Sequence, residues 1–442
     1  MKKSFRRQHR QLFSTFSAVA VVLITLLFAF SAETSSVTIR KPNKAFSTAT
    51  VEGRLAVFDD VWQTINDRYY DSTFHGINWQ AQRDEFRPRA AVAANGEQLY
   101  LLLRQLISQL GDVHTRVHGP DEKFNWWNPR FVSIGMTVRH VENQPTVIAV
   151  ERGSQPDRAG IKPGDVIERI EGVEALSFIE QHILNQRAAA FRVTSRLRAF
   201  SALFEGAPKT YVDVQWRTKG GELRAGRFQR TLQDRELGMR VRMKDEILII
   251  QLDAFTPNLA IEFTKMLKRR IASARGIVLD LRENGGGEAE AMAEVASAFL
   301  GDGTNLGTFT DRWGTSFTIR TRAKSLLAPE PLGRTTLPLV VLTSERTSSA
   351  AEIFVAAMRD GNRATILGTE SCGCVLAIRQ QHELPDGGAL DVSELDFQTS
   401  KGVRLEQNGL TPDETVFPLR TDFYASRDRA LRLAIRRLTY QH

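Results

Sequence analysis

The chain has 442 residues, 42% of them apolar and a quarter charged, which suits an ordered protein of two to four domains. Its formal charge is +8, but five of those charges fall in the first ten residues, leaving about +3 for everything else, so composition makes no case for nucleic acid as a partner. Two cysteines, Cys372 and Cys374, exclude a fold stapled by disulfides: two apart on an expected strand, they point the same way and are poorly placed to bond.

Lys2, Lys3, Arg6, Arg7 and Arg10 precede a mostly apolar stretch from Leu12 to Phe30, the pattern of a secretory signal with Ala29-Phe30-Ser31 as its cleavage site. Because about 20 apolar residues span a bilayer, an uncleaved membrane anchor is the other reading. Residues 1–32 are therefore a signal or anchor and 33–49 a linker, and the rest of the chain is expected outside the cytoplasm, in a periplasm or its equivalent. No cysteine follows the apolar run, which excludes a lipoprotein.

Over 50–128, LAVFDDVWQTINDRYYD and EQLYLLLRQLISQLG read as amphipathic helices joined by a turn-rich stretch around Gly76 to Trp79. His114 follows in LISQLGDVHTRVHGP, just past a helix end. An imidazole titrating near neutrality can take and return a proton, although a lone His beside a turn is often structural. His114 and His118 stand four apart, which would suit zinc on a helix, but Gly111 and Pro120 argue against a helix there, and no metal or cofactor is expected.

Short alternating strands fill 131–232, interrupted by SFIEQHILNQRAAAFRVTSRLRAFSALFEG, a long basic helical stretch best read as a helix with a hinge. The segment 240–442 is of α/β type. GIVLDLRENGGGEAEAMAEVASAF predicts a strand, a glycine turn and a helix; consecutive glycines aim backbone N–H groups at a ligand, as an oxyanion hole requires, and the spacing is not that of a dinucleotide loop. In PLVVLTSERTSSAAEIFVAAMRDG a buried strand breaks at a polar turn and resumes as a helix, with Ser349 at the break. That junction can present a hydroxyl as a nucleophile beneath the positive helix end. Ser349-Ala-Ala-Glu352 also fits a capping box, in which Ser349 only caps the helix. ASRDRALRLAIRRLTYQ ends the chain as an amphipathic helix with basic residues outward.

GDVHT, DLRENGGG and TSSAAEI occur in the order of three motifs of the tail-specific, or C-terminal-processing, serine peptidases, and after about residue 50 the chain resembles that family and its tricorn-like branch. The resemblance implies an α/β multi-domain fold: a ββα, crotonase/Clp-protease-like peptidase core over 240–442, an inserted PDZ domain over 131–232, and an N-terminal helical domain. It makes Ser349 the nucleophile, three residues before the motif glutamate. The family's better-known branch uses a lysine about twenty-five residues after the serine, but Cys374 occupies that place, and a thiol cannot stand in for a buried amine of lowered pKa. The tricorn-like branch uses histidine, which implies His114 as general base and Glu406, in GVRLEQNGLTPDETV, as the acid that orients it, with Asp112 and Asp413 as alternatives. The oxyanion donors implied are the N–H groups of Ala350 and, within Gly285 to Gly287, Gly286. Val113 stands where that branch has a serine.

IGMTVRHVENQPTVIAVERGSQPDRAGIKPGDVIERIEGVEA resembles a PDZ domain, most specifically in A-G-I-K-P-G-D. Ile134, Gly135 and Met136 match its carboxylate-capturing loop, so the partners implied are polypeptides held by their free C-termini through strand addition. Cys372 and Cys374 are read as small packing residues near the site. Two functions follow: an extracytoplasmic serine endopeptidase, or a catalytically degenerate peptide-binding protein, the latter motivated by Cys374 and Val113. The sequence carries no signal for the number of subunits.

Overall fold

The computed structural model describes residues 46–122, 130–184, 192–325 and 334–440, so the leader and most of the linker lie outside it. Three helices, Val51–Arg68, Trp79–Ala91 and Gly96–Ser108, open the described chain. Each starts on a polar cap, where Thr50 Oγ1, Asn78 Oδ1 and Asn95 Oδ1 accept first-turn N–H groups at 3.0, 2.9 and 2.9 Å. Their apolar faces, including Phe58, Ile65, Leu99 and Leu106, share one buried cluster with Leu376, Leu384, Leu390 and Val392 from far along the chain. That shared core seats the helices on the C-terminal half. Gly111, at φ 77°, turns the chain out of the third helix into the loop of His114. The strand Arg116–His118 then pairs antiparallel with Ala389–Asp391.

Strands Arg130–Ser133 and Thr231–Asp234 pair antiparallel, so the chain enters and leaves the intervening unit side by side. Inside it, Met136–Val141, Gln144–Val150, Val166–Ile170, Tyr211–Arg217 and Leu223–Gln229 lie in that order in an antiparallel sheet. Met136–Val141 is its edge strand. The basic stretch forms two helices, Ala175–Leu184 and Arg192–Ala202, which bury Ile179, Ala199 and Phe200 against Ile134, Met136 and Trp216.

The C-terminal half is built on a six-stranded sheet: Met239–Lys244, Ile247–Leu252, Gly276–Asp280, Leu339–Thr343, Thr365–Gly368 and Glu414–Thr415, antiparallel at the first pair and parallel beyond it. Its central strands read as continuous apolar runs because helices cover both faces. The pleat sends Leu248, Ile250, Leu279 and Val341 towards helices Pro257–Arg270, Ala289–Ser297 and Ala350–Asp360. Ile249, Val278, Val340 and Leu342 go instead to the terminal helix Arg429–Tyr440. The turns after Gly276–Asp280 and Leu339–Thr343 therefore emerge beside each other at the carboxyl edge of the sheet, where open α/β sheets build sites.

Candidate active site

Ser349 joins the strand Leu339–Thr343 to the helix Ala350–Asp360 with φ 56° and ψ −126°, a left-handed backbone that only the surrounding structure can hold in a non-glycine residue. Its amide donates to Cys374 O at 2.8 Å and to Glu352 Oε2 at 3.2 Å. Glu352 thus makes its half of a capping box, but its own N–H, the group a capping hydroxyl would accept, donates to Ser349 O at 2.9 Å, and among the described residues no hydrogen bond engages the Ser349 hydroxyl. Glu352 is fully buried and also accepts Ser371 Oγ at 2.5 Å, Gly373 N–H at 2.8 Å and Cys374 N–H at 2.9 Å. Burial pushes its carboxyl up to about 7 even so, the four donors only partly offsetting the loss of solvent.

Gly286 presses its backbone on the nucleophile. At φ 99°, a Cβ there would lie 2.7 Å from Ser349 Cβ, 2.9 Å from Ser348 O and 3.1 Å from Ala350 N, so no side chain fits. The Gly286 N–H, however, donates to Asn284 Oδ1 at 2.8 Å, which differs from the expectation of an open oxyanion donor at that residue. Asn284 is in turn anchored on Leu252 O at 3.0 Å. Ala350, as the first helical residue, has its N–H outside the intrahelical ladder.

His114 rides on a loop fixed by Asp112, whose carboxylate accepts the N–H of His114 and of Thr115, both at 2.7 Å, with Thr115 Oγ1 at 2.8 Å and Ser393 Oγ at 2.9 Å. Asp112 is therefore committed to holding the loop. The imidazole Nδ1 is buried with no hydrogen-bond partner. The residue as a whole is half-buried, but burial of the ring, then the nearby positive charges of Arg116 and Arg198, push its pKa down to about 4 against the opposing pull of Asp112 and Asp391, so the ring is neutral at pH 7. Arg198, from the helix Arg192–Ala202, reaches this loop and donates to Asp112 O at 3.2 Å.

Glu406 is 1% exposed; its Oε2 accepts the N–H groups of Val375 at 2.7 Å and Leu376 at 3.2 Å, and its Oε1 is buried and unpaired. Burial pushes its pKa up to about 8, and the charges of Asp112 and Glu352 push the same way, which puts Glu406 within electrostatic reach of both the histidine loop and the serine turn. Asp413 instead accepts Ile366 N–H at 2.8 Å beside the strand Thr365–Gly368. Among the described residues no hydrogen bond joins His114 to Ser349 or to Glu406.

Cys372 and Cys374 are joined by a disulfide, Cα to Cα 5.3 Å, which corrects the expectation of two small packing residues poorly placed to bond. The physical reason is local: 371–376 is an irregular loop rather than a strand, and Gly373, at φ 71°, turns it so that the side chains meet. Ser371 and Arg198 reach the serine turn and the histidine loop from positions that nothing in their local sequence marks, whereas Arg116 follows His114 on the same segment. Of the expected carboxylate loop, Ile134 and Met136 are core side chains. Gly135, at φ 87°, donates its N–H to Ser133 Oγ at 2.9 Å. His118 lies on a strand, with Nε2 3.5 Å from Asp391.

Residues 246–416 match the model of peptidase family S41 and 52–108 that of the tricorn protease C1 domain. The chain is 28% identical over 369 residues to the carboxyl-terminal-processing protease of Synechocystis sp., covering 80% of this chain and 79% of the relative. With carboxyl-terminal-processing peptidase 1, chloroplastic, of Arabidopsis thaliana it shares 25% identity over 81% of this chain and 71% of the relative. Its fold is similar to that of the solved photosystem II D1 C-terminal processing protease, with a TM-score of 0.52 at 21% identity over 83% and 93% of the two chains. It is also similar to mature CPAF, with a TM-score of 0.66 at 12% identity over 88% and 98%. The chain is thus a serine peptidase by its family S41 segment, 246–416, and over four-fifths of its length it is similar to carboxyl-terminal-processing proteases.

Proposed function

We propose that this chain is an extracytoplasmic endopeptidase that takes polypeptides by their free C-termini and cuts them with Ser349 as nucleophile, His114 as general base and Glu406 as the acid that orients the imidazole. The observation that carries the reading is a serine held at φ 56° with its hydroxyl released from capping, together with two buried atoms that lack partners, His114 Nδ1 and Glu406 Oε1. A donor and an acceptor left unpaired in low dielectric each cost free energy, and pairing them removes both costs. Substrate binding closes the imidazole on the hydroxyl to hydrogen-bonding distance, a contact that often tightens only in the complex. His114 then takes the Ser349 proton as Oγ attacks the carbonyl and returns it to the leaving amine. Ala350 N–H receives the oxyanion, joined by an N–H of the Gly285 to Gly287 turn once Asn284 yields its hold.

The unit between the paired strands Arg130–Ser133 and Thr231–Asp234 serves as the PDZ domain: the edge strand Met136–Val141 takes the substrate as an added strand, and the loop at Ile134 to Met136 meets its terminal carboxylate. The leader exports the chain or tethers it to the membrane. The test is turnover of an unfolded protein by the wild type and by Ser349→Ala, with a fluorophosphonate probe reporting the nucleophile directly. Equal turnover and no label at Ser349 would leave the second reading, a peptide-holding protein without activity, which the missing His114 to Ser349 hydrogen bond favours.

A further inference from the structure

The loop 371–376 has neither helix nor strand, yet it holds most of the polar groups around the serine. Its Cys372 N–H donates to Thr347 O at 2.9 Å, its Gly373 and Cys374 N–H groups bind the two oxygens of Glu352, and its Cys374 carbonyl receives the Ser349 amide at 2.8 Å. Val375 and Leu376 N–H groups hold Glu406, and Gly373 O accepts Gln407 N–H at 2.8 Å. The conformation is special, because a Cβ on Gly373 would fall 2.9 Å from Gly409 N and 3.1 Å from Gln407 C. With no ladder to enforce it, the loop is held by these scattered hydrogen bonds and by one covalent constraint, the ring closed by the Cys372–Cys374 disulfide.

We propose that this disulfide is a positioning element of the hydrolytic site, and that a thiol or phosphine reductant acting on it lowers turnover reversibly. The proposal rests on the reading of Ser349 as nucleophile. Cys372 is half-buried and Cys374 2% exposed, so of the two residues Cys372 is the more accessible to a reductant. A dithiol reductant forms a mixed disulfide at Cys372 and expels Cys374 as thiolate; its second thiol then releases Cys372. Two electrons and two protons end on the cysteines, and the reductant leaves as its own cyclic disulfide. Opening a ring over three residues frees roughly an order of magnitude of conformations. The acceptor of the Ser349 amide and the donors to Glu352 and Glu406 loosen together.

The experiment uses the full chain, oxidised, reduced with dithiothreitol and reoxidised, with thiols counted by mass after alkylation. Reduction is expected to lower kcat and the rate of fluorophosphonate labelling at Ser349 about tenfold while KM on an unfolded protein holds, and reoxidation to restore both. The double variant Cys372→Ser, Cys374→Ser is expected to show the reduced rates and no response to reductant, which also decides the matter if the wild-type bond resists reduction. Equal labelling rates in oxidised and fully reduced protein, a double variant with wild-type rates, or two free thiols in untreated active enzyme would each overturn the proposal. Absence of labelling in the oxidised protein would instead overturn Ser349 as nucleophile.

Discussion

Replacing Glu406 with glutamine separates the contribution of that side chain to stability from its contribution to chemistry. Its carboxyl sits at about 8 in the folded protein against an ordinary 4.5, so between those values the folded state keeps a proton that the unfolded chain has released. Stability then falls as pH rises, by about 1.4 kcal/mol per pH unit for one group, or about 5 kcal/mol across the whole window. Glutamine preserves the acceptor that binds Val375 and Leu376 N–H, brings no charge to desolvate, and places an amide where Oε1 now lacks a partner. Urea denaturation at pH 5, 6.5 and 8 should therefore show Glu406→Gln gaining on the wild type as pH rises. Turnover should move the other way, most of all above pH 8 where the wild-type carboxylate is ionised, since the amide neither stabilises the imidazolium nor holds the same imidazole tautomer; the equivalent acid-to-amide change in a serine triad costs about 10⁴-fold in kcat. A variant whose stability runs parallel to the wild type at all three pH values would refute the burial argument, and one with wild-type kcat would remove Glu406 from the mechanism.

With His114 held at about 4, the acid limb of kcat/KM should fall near pH 4 rather than at the 6.5 of a free imidazole; an inflection at 6.5 would show that the base is solvated. The same depression makes the His114 contribution to stability full above pH 6.5 and lost as pH falls to 4, which His114→Phe should abolish in acid denaturation. Gly286→Ala should cost about 2 kcal/mol or more, from the Cβ contact at 2.7 Å and the φ of 99°, and should depress kcat far more than KM because the displaced atoms belong to Ser349 and its two chain neighbours. Asp112→Ala removes the acceptor of four hydrogen bonds and should destabilise by about 3 kcal/mol or more, read as a lower urea midpoint, with a loss of turnover that raised pH does not restore.

The strand, turn and helix around Ser349 were legible because the run from Leu339 to Thr343 is too short and too continuous for an amphipathic helix, and the apolar spacing from Ala350 onward changes to that of a helix. Motif order also brought Ser349, Gly286, His114 and Glu406 forward as one set. Whether Ser349 caps its helix was not legible, since a capping box and an unused hydroxyl have the same letters and differ only in a backbone angle that Cys374, Glu352 and Gly286 impose from outside. The same holds for the three candidate acids. Asp112, Asp413 and Glu406 are alike in sequence, and only the completed fold assigns the first to a loop, the second to a strand edge, and leaves the third with one buried oxygen unpaired. Short-range order follows from covalent geometry and side-chain periodicity, which a sequence displays directly. Which polar atom finds a partner depends on groups brought together from hundreds of residues away, and so does the disulfide at Cys372, made by a loop that only packing could bend.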